Sequence, residues 1–299
     1  MIKTIRVESG GTRLDTYLPT MLDNISRSYV RRLFDEGRIT IGKKPVKPSL
    51  RTEPGQMVEV DMPAPRPDRA LPQAIPLRIV FEDDWLLVVD KPQGMVVHPA
   101  PGHRDGTLVN ALLSYCGDQL SDLNGVIRPG IVHRIDKDTS GLLLVVKDNI
   151  VHERVASRIR RHEIERVYLA MVHGRIAQDE GTIEAPIGRD PRNRKKMAVV
   201  VNGKPAITHF RVITRFSSAT WIECRLETGR THQIRVHLAA IGHPVVGDPV
   251  YAPGRNAYGL HGQALHAVSL EFDHPVTGIR MRVMADLPPH MSTLLETMR

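Results

Sequence analysis

The chain has 299 residues, with 41 lysines and arginines against 33 aspartates and glutamates and a formal net charge of +8. At 41% hydrophobic and 25% charged it has the composition of a folded globular protein, long enough for a large domain plus a small one. Two cysteines, Cys116 and Cys224, exclude a disulfide framework or a four-cysteine metal site and suit a reducing cytosol. No apolar stretch reaches the roughly 18–20 residues that cross a bilayer, and the start MIKTIRVESGGTR lacks the apolar core of a secretory signal. What remains is a soluble, basic, cytoplasmic protein whose charge proposes a polyanionic partner.

The N-terminal region, residues 1–63, reads as two short helices followed by a hairpin. The first helix carries Leu14, Leu18, Met21 and Leu22 on one side and stops after Pro19 or near Asn24. The second opens with Ser26 as N-cap, turns Val30, Leu33 and Phe34 inward, and ends at Gly37. Its outer face presents Arg27 and Arg31, four residues apart. RITIGKKPV then gives two β-rich runs around Gly42-Lys43-Lys44. A basic helix beside a basic turn suits an RNA backbone, and the arrangement, with SRSYVRRL in the second helix, resembles the S4-type RNA-binding domain.

The proline-rich stretch from Met62 to Pro76 cannot continue a helix or the interior of a sheet, so residues 64–78 read as an extended linker. The remainder, 79–299, is strand-rich: IVFEDDWLLVVDKP, GLLLVVKD, ERVYLAMVHG, ITHFRVITRF, WIECRLETG, ALHAVSLEF and IRMRVMA. Helical patterns fall only near Thr107–Cys116, Ile150–His162 and Thr231–Ile241. Without a βαβ rhythm the expected class is α+β with a mixed, mostly antiparallel sheet.

The charge is uneven: residues 151–215 hold 14 basic and 7 acidic side chains. There Arg154, Arg158 and Arg161 recur at helical spacing opposite Val151, Val155 and Ile159, followed by the run Arg189, Arg192, Arg194, Lys195, Lys196. Arginines on a helix are commonly just a solvated face, but two clusters in one chain favour phosphate binding. Aromatics at 4% argue against a platform that stacks bases along a single strand.

Two polar clusters can carry chemistry. HRIDKDTSGLLLVVK, His133 to Lys147, places ionisable groups directly before an apolar strand, where a carboxylate would be fixed by the sheet while facing a cleft. The competing reading is a loop in which Asp136, Asp138, Thr139 and Ser140 only satisfy turn backbone. LETGRTHQIRVHLAAIGHPVVGD, Leu226 to Asp248, centres on a helix from Thr231 to about Ile241, with Ile234, Leu238 and Ile241 buried and Arg230 just ahead of it. His232 and His237 are five apart with no H-E-x-x-H glutamate and no cysteine nearby, so no metal is expected. A Walker motif, a dinucleotide fingerprint and G-x-S-x-G are all missing, so no cofactor is expected either.

HRIDKDTSGLLLVVK and ETGRTHQIRVHLAAIGHPVVGD, together with DKPQGMVVHP (Asp90 to Pro99) and ERVYLAMVHG (Glu165 to Gly174), resemble the RluA-type family of RNA pseudouridine synthases, in the family's order. MAVVVNGKPAITHFRV and GDPVYAPGR bring the likeness closest to its RluD-like branch, whose N-terminal S4-like domain the first region also resembles. Carried over residue by residue, the resemblance implies Asp136 as the catalytic aspartate and Tyr168 as the active-site tyrosine. It implies Arg134 as the residue that helps displace the target base, and Arg230 as the cation that pairs with the aspartate. Arg27, Arg31, Lys43, Lys44, Arg154, Arg158 and Arg161 are the residues expected to touch RNA. Ile135, where leucine is usual, conserves volume.

The implied reaction moves uracil from an N1 to a C5 link with the ribose C1′. No atoms are gained or lost, so it needs an ionised carboxylate at the sugar, an arginine to favour that ionised form, and a pocket that retains the base. The expected protein is a monomeric rRNA pseudouridine synthase, acting most naturally on large-subunit RNA. Two alternatives stay open: a non-catalytic S4-type assembly factor, and a glycosylase that would release free base.

Overall fold

The computed structural model describes residues 2–298 apart from 23–24, 63–69, 101, 118, 124, 126–127, 195 and 255–257. The chain divides into two compact units, Met1–Pro67 and Asp68–Arg299.

The first unit contains β1 (Ile2–Arg6), α1 (Leu14–Met21), α2 (Arg27–Asp35), β2 (Ile39–Ile41), β3 (Lys44–Pro45) and β4 (Met57–Asp61). Its sheet runs β1-β4-β2-β3, antiparallel throughout. Ser26 caps α2 by accepting from the Tyr29 amide at 3.3 Å, and Leu14, Leu18, Val30, Leu33 and Val58 form its core. The hairpin turn is Gly42-Lys43 alone, both in the left-handed region, so Lys44 already opens β3. Two expectations change. α1 continues past Pro19 to Met21, and Met21 is exposed rather than facing the core. Asn24 lies outside the described residues.

The second unit contains β5 (Arg78–Glu82), β6 (Leu86–Lys91), α3 (Leu108–Cys116), β7 (Ser140–Val146), α4 (Asn149–Arg160), β8 (Glu165–His173), β9 (Glu180–Glu184), β10 (Ile187–Arg189), β11 (Met197–Val199), β12 (Ile207–Arg215), β13 (Ala219–Leu226), α5 (Gln233–Ala240), β14 (Leu265–Asp273), β15 (Arg280–Met284) and α6 (Pro289–Met298). One sheet runs β5-β6-β7-β14-β8-β13-β12-β9, with β15 also on β14 and β10-β11 a separate hairpin. All pairs are antiparallel except β7 with β14, so the sheet is mixed and mostly antiparallel. IVFEDDWLLVVDKP is a hairpin rather than one strand, folded at Asp83, whose carboxylate accepts from the Trp85 and Leu86 amides.

Apolar runs in β6 and β7 are buried on both faces. Leu87, Val89, Leu143 and Val145 pack with α3, α5 and α6, while Leu86, Val88, Leu142 and Leu144 pack with Val151 and Val155 of α4. Residues 64–69 of the proline-rich stretch lie outside the described residues. The part that follows is no free spacer: Gln73 N donates to Asn110 O, and the Asn110 amide donates to Leu71 O, tying it to α3. α5 is shorter than expected, because His232 adopts a left-handed φ of 58° ahead of it, and Ile241 at its end is exposed.

Candidate active site

The loop that carries Asp136 is held from below by a buried cation. Lys91, fully buried at the end of β6, donates to the carbonyls of Pro92, Met95 and Lys137 at 2.8, 2.9 and 3.0 Å. Three carbonyl acceptors match the three donors of an ammonium; burial pushes its pKa down to about 7, opposed by the charges of Asp138, Asp136 and Asp90. Gly94 N also donates to Lys137 O, and the Gln93 amide to Asp138 O. Ile135 is packed in the core. Gly262 lies flush against Asp138, where any Cβ would come within 2.6 Å of the Asp138 Cβ. The DKPQG turn and the β14 approach thus fix the backbone on both sides of Asp136.

The cation on Asp136 is Arg235, which corrects the sequence expectation of Arg230. Arg235 Nη1 donates to Asp136 Oδ2 at 2.8 Å, while Nε and Nη2 donate to the two oxygens of Asp248 at 2.7 and 2.9 Å. Arg230 stands on the turn before α5 and sends Nε to the Pro205 carbonyl instead, at 2.9 Å. The physical difference is support. Arg235 lies one turn into a helix buried from Gln233 to Leu238, and its fork is gripped by a carboxylate that also accepts from the Val250 and Tyr251 amides. Burial works against the Arg235 charge, but the bonds and fields of Asp248 and Asp136 more than offset it and raise its pKa. For Asp248 burial acts upward, and Arg235 pulls the pKa below the ordinary carboxylate range. The sequence signal was available: an arginine on an otherwise buried helix requires a buried partner.

Asp136 and Arg235 line a cavity of about 190 Å³ with His133, Arg134, Tyr168, Arg166 and Arg230. Tyr168 sits mid-sheet on β8, registered against Cys224 on β13 and Ala267 on β14. Burial pushes its hydroxyl pKa up, Arg166 opposes this and the Asp136 charge adds to it. Arg134 is exposed at the cavity and has no carboxylate partner among the described residues. His232 Nε2 is 3.9 Å from Asp136 Oδ1, and its Nδ1 meets the Tyr251 hydroxyl at 3.0 Å. His237 is buried between Thr208 Oγ1 and the Ala185 carbonyl. Among the described residues no group of three potential metal ligands occurs, and no helix is long and apolar enough to cross a membrane.

The basic residues expected at RNA fall into two sets. On the first unit, Lys43 on the hairpin turn and Lys44 at the start of β3 are exposed, Arg31 reaches Asp35 at 3.6 Å, and Arg27 ties α2 to α1 through Thr16 Oγ1. On α4, Arg154 donates to Pro275 O at 3.2 Å and Arg158 to Asp273 O, while just past the helix Arg161 pairs with Glu163. Arg154 and Arg158 keep donors over for other partners. Lys195 of the second basic run lies outside the described residues.

A carboxylate locked by one N–H of a buried arginine, opposite a tyrosine ring and with an exposed arginine at the mouth, suits chemistry on a nucleobase turned out of its stack. The RNA pseudouridylate synthase family matches residues 85–240, covering this whole constellation apart from Asp248, and the S4 domain matches residues 12–58. An uncharacterized RNA pseudouridine synthase YlyB of Bacillus subtilis is 48% identical, with 99% of this chain and 97% of that protein aligned. The ribosomal large subunit pseudouridine synthase D of Zymomonas mobilis is 46% identical over 98% of this chain and 96% of its own. The solved structure of human RNA pseudouridylate synthase domain containing 1 shares the fold, with a TM-score of 0.58 at 23% identity, covering 76% of this chain and 96% of that one. The chain belongs to the RNA pseudouridylate synthase family and is an isomerase that converts uridine in RNA to pseudouridine.

Proposed function

We propose that the substrate is large-subunit ribosomal RNA and that Asp136 acts at the ribose C1′ or its neighbour. The observation that carries the catalytic part is the Asp136–Arg235–Asp248 arrangement, which presents a carboxylate oriented by a single N–H. The large-subunit assignment rests on the name of the Zymomonas mobilis relative, aligned over nearly the full chain. In this reading Arg134 fills the space a displaced base vacates, a displacement that costs a few kcal/mol. Tyr168 supplies a flat ring for the detached uracil. The first unit, with Arg27, Arg31, Lys43 and Lys44, grips flanking RNA by its phosphates, with Arg154, Arg158 and Arg161 of the second unit adding positive charge. Because the isomerisation neither gains nor loses atoms, it draws on no oxidant or external group donor.

The test is to map pseudouridines in total RNA from a strain lacking the gene. Sites missing from large-subunit RNA and restored by the intact gene are expected. Unchanged large-subunit RNA, or sites lost only from transfer RNA, would overturn the substrate assignment.

A further inference from the structure

A second feature of the cavity is not explained by the Asp136–Arg235 pair. Arg166 lies on β8 two residues before Tyr168, so both side chains point to the same face of the strand. It is 6% exposed, and among the described residues no carboxylate lies within ion-pair distance. The hydrogen bond its side chain makes among the described residues is a long one, Nη2 to the Glu227 carbonyl at 3.4 Å, and its Nε is buried without a partner. The guanidinium rests over Gly229, where a Cβ would come within 2.7 Å of Nη1, so the glycine of the LETGR turn makes room for it.

His133, two residues before Ile135 on the Asp136 loop, has the same defect. Its Nε2 accepts from the Leu144 amide at 2.9 Å, so the ring is neutral and the hydrogen sits on Nδ1. Burial, with the Arg166 charge adding, pushes the His133 pKa down to about 3, which keeps it neutral. That Nδ1–H is likewise buried without an acceptor. Of the side chains lining the cavity, His133 and Arg166 are the two with a buried unpartnered polar atom among the described residues, and both atoms are donors. Unpaired buried donors cost free energy until an acceptor arrives, and among the described residues the protein supplies none.

We propose that Arg166 and His133 form the receiving site for the uracil carbonyl oxygens and stabilise the detached base as an anion. This rests on the isomerase reading. When C1′–N1 breaks, the electron pair stays with uracil and spreads over N1, O2 and O4. On rejoining, a ring pair forms C5–C1′, C5 gives up its proton and N1 takes one up. Arg134 and Arg230 also line the wall without a carboxylate, but Arg134 is exposed and Arg230 half-buried, so the buried guanidinium of Arg166 gains most when that anion forms. Arg235, neutralised by two aspartates, gains little.

The test uses full-length enzyme and unmodified large-subunit rRNA transcripts, made with uridine or with 5-fluorouridine. Fluorine makes the departing base a weaker base that depends less on a cationic partner, and because C5 then has no proton to give up, the assay on that transcript reads loss of the starting nucleoside. Arg166→Gln should slow single-turnover consumption of uridine by roughly 100-fold with RNA affinity retained. The penalty on 5-fluorouridine should be clearly smaller, and Arg166→Lys should recover part of the rate. His133→Gln, which can still accept from the Leu144 amide but offers nothing at the Nδ1 position, should slow the uridine reaction about ten-fold without lowering Tm. Equal penalties on the two transcripts, a loss confined to RNA affinity, or full activity of Arg166→Gln would overturn the proposal while leaving the enzyme an isomerase. A wild-type enzyme that leaves both transcripts unchanged would overturn the isomerase reading itself.

Discussion

Helices α4 and α5 use arginine in opposite ways. α4 carries Arg154, Arg158 and Arg160 along an amphipathic surface, with Arg161 following; Arg154 and Arg158 reach backbone carbonyls and Arg161 a neighbouring glutamate, all from a surface in contact with water. α5 is buried along most of its length and holds one arginine, whose Nε, Nη1 and Nη2 all donate to carboxylates. The helix with more charge has the charge of least individual consequence. In water at physiological salt an exposed guanidinium interacts weakly and interchangeably. In the cavity wall its geometry is fixed and its loss leaves anions stranded.

The sharpest way to test that contrast is Arg235→Met. It strands Asp136 and Asp248, so we expect a loss of about 3–5 kcal/mol in denaturant unfolding together with loss of pseudouridine formation. Arg154→Met on α4 should cost under about 1 kcal/mol in the same experiment. Equal costs would remove the distinction between the helices.

Asp248→Asn separates positioning from packing. The amide keeps the volume of Asp248 but loosens the grip on Arg235, so kcat should fall roughly 10–100-fold with KM nearly unchanged. The pH dependence has a definite sign. The folded-state pKa of Asp248 lies below its unfolded value, so its contribution is present above the ordinary carboxylate range near about 4 and is lost as pH falls through the folded value. The stability gap between wild type and Asp248→Asn should therefore narrow as the solution is acidified. A gap independent of pH would mean that Asp248 acts only by filling space.

The smallest expected effect belongs to the first unit. Lys43→Gln with Lys44→Gln should leave single-turnover chemistry at saturating RNA intact and weaken RNA binding. The slope of log affinity against log salt should become shallower by about 0.9 for each duplex phosphate that the variant no longer neutralises. An unchanged slope would remove the hairpin turn from the RNA-binding surface.

How legible all this was in the sequence follows the same division. Short-range signals were readable. Ser26 before α2 and the polar run leading into the apolar β7 each depend on neighbours in sequence. β1 and β4 were not recovered, since each is a five-residue strand whose only pairing is with segments far along the chain. The same limit applied at the site. The local pattern marks the loop and the family resemblance picks Asp136 within it, whereas its partner lies 99 residues away and Arg235 differs from Arg230 only in what the fold packs around it. Asp248 and Arg166 look unremarkable until the sheet and α5 assemble around the cavity.

In the proposed function Asp136, held by Arg235, performs the chemistry while the basic surfaces hold the RNA. The most direct measurement is single-turnover pseudouridine formation by Asp136→Asn on unmodified large-subunit rRNA, with RNA affinity measured in parallel. Affinity equal to wild type and a rate reduced by on the order of 10⁴ or more are expected. Pseudouridine forming at the wild-type rate would contradict that role of Asp136.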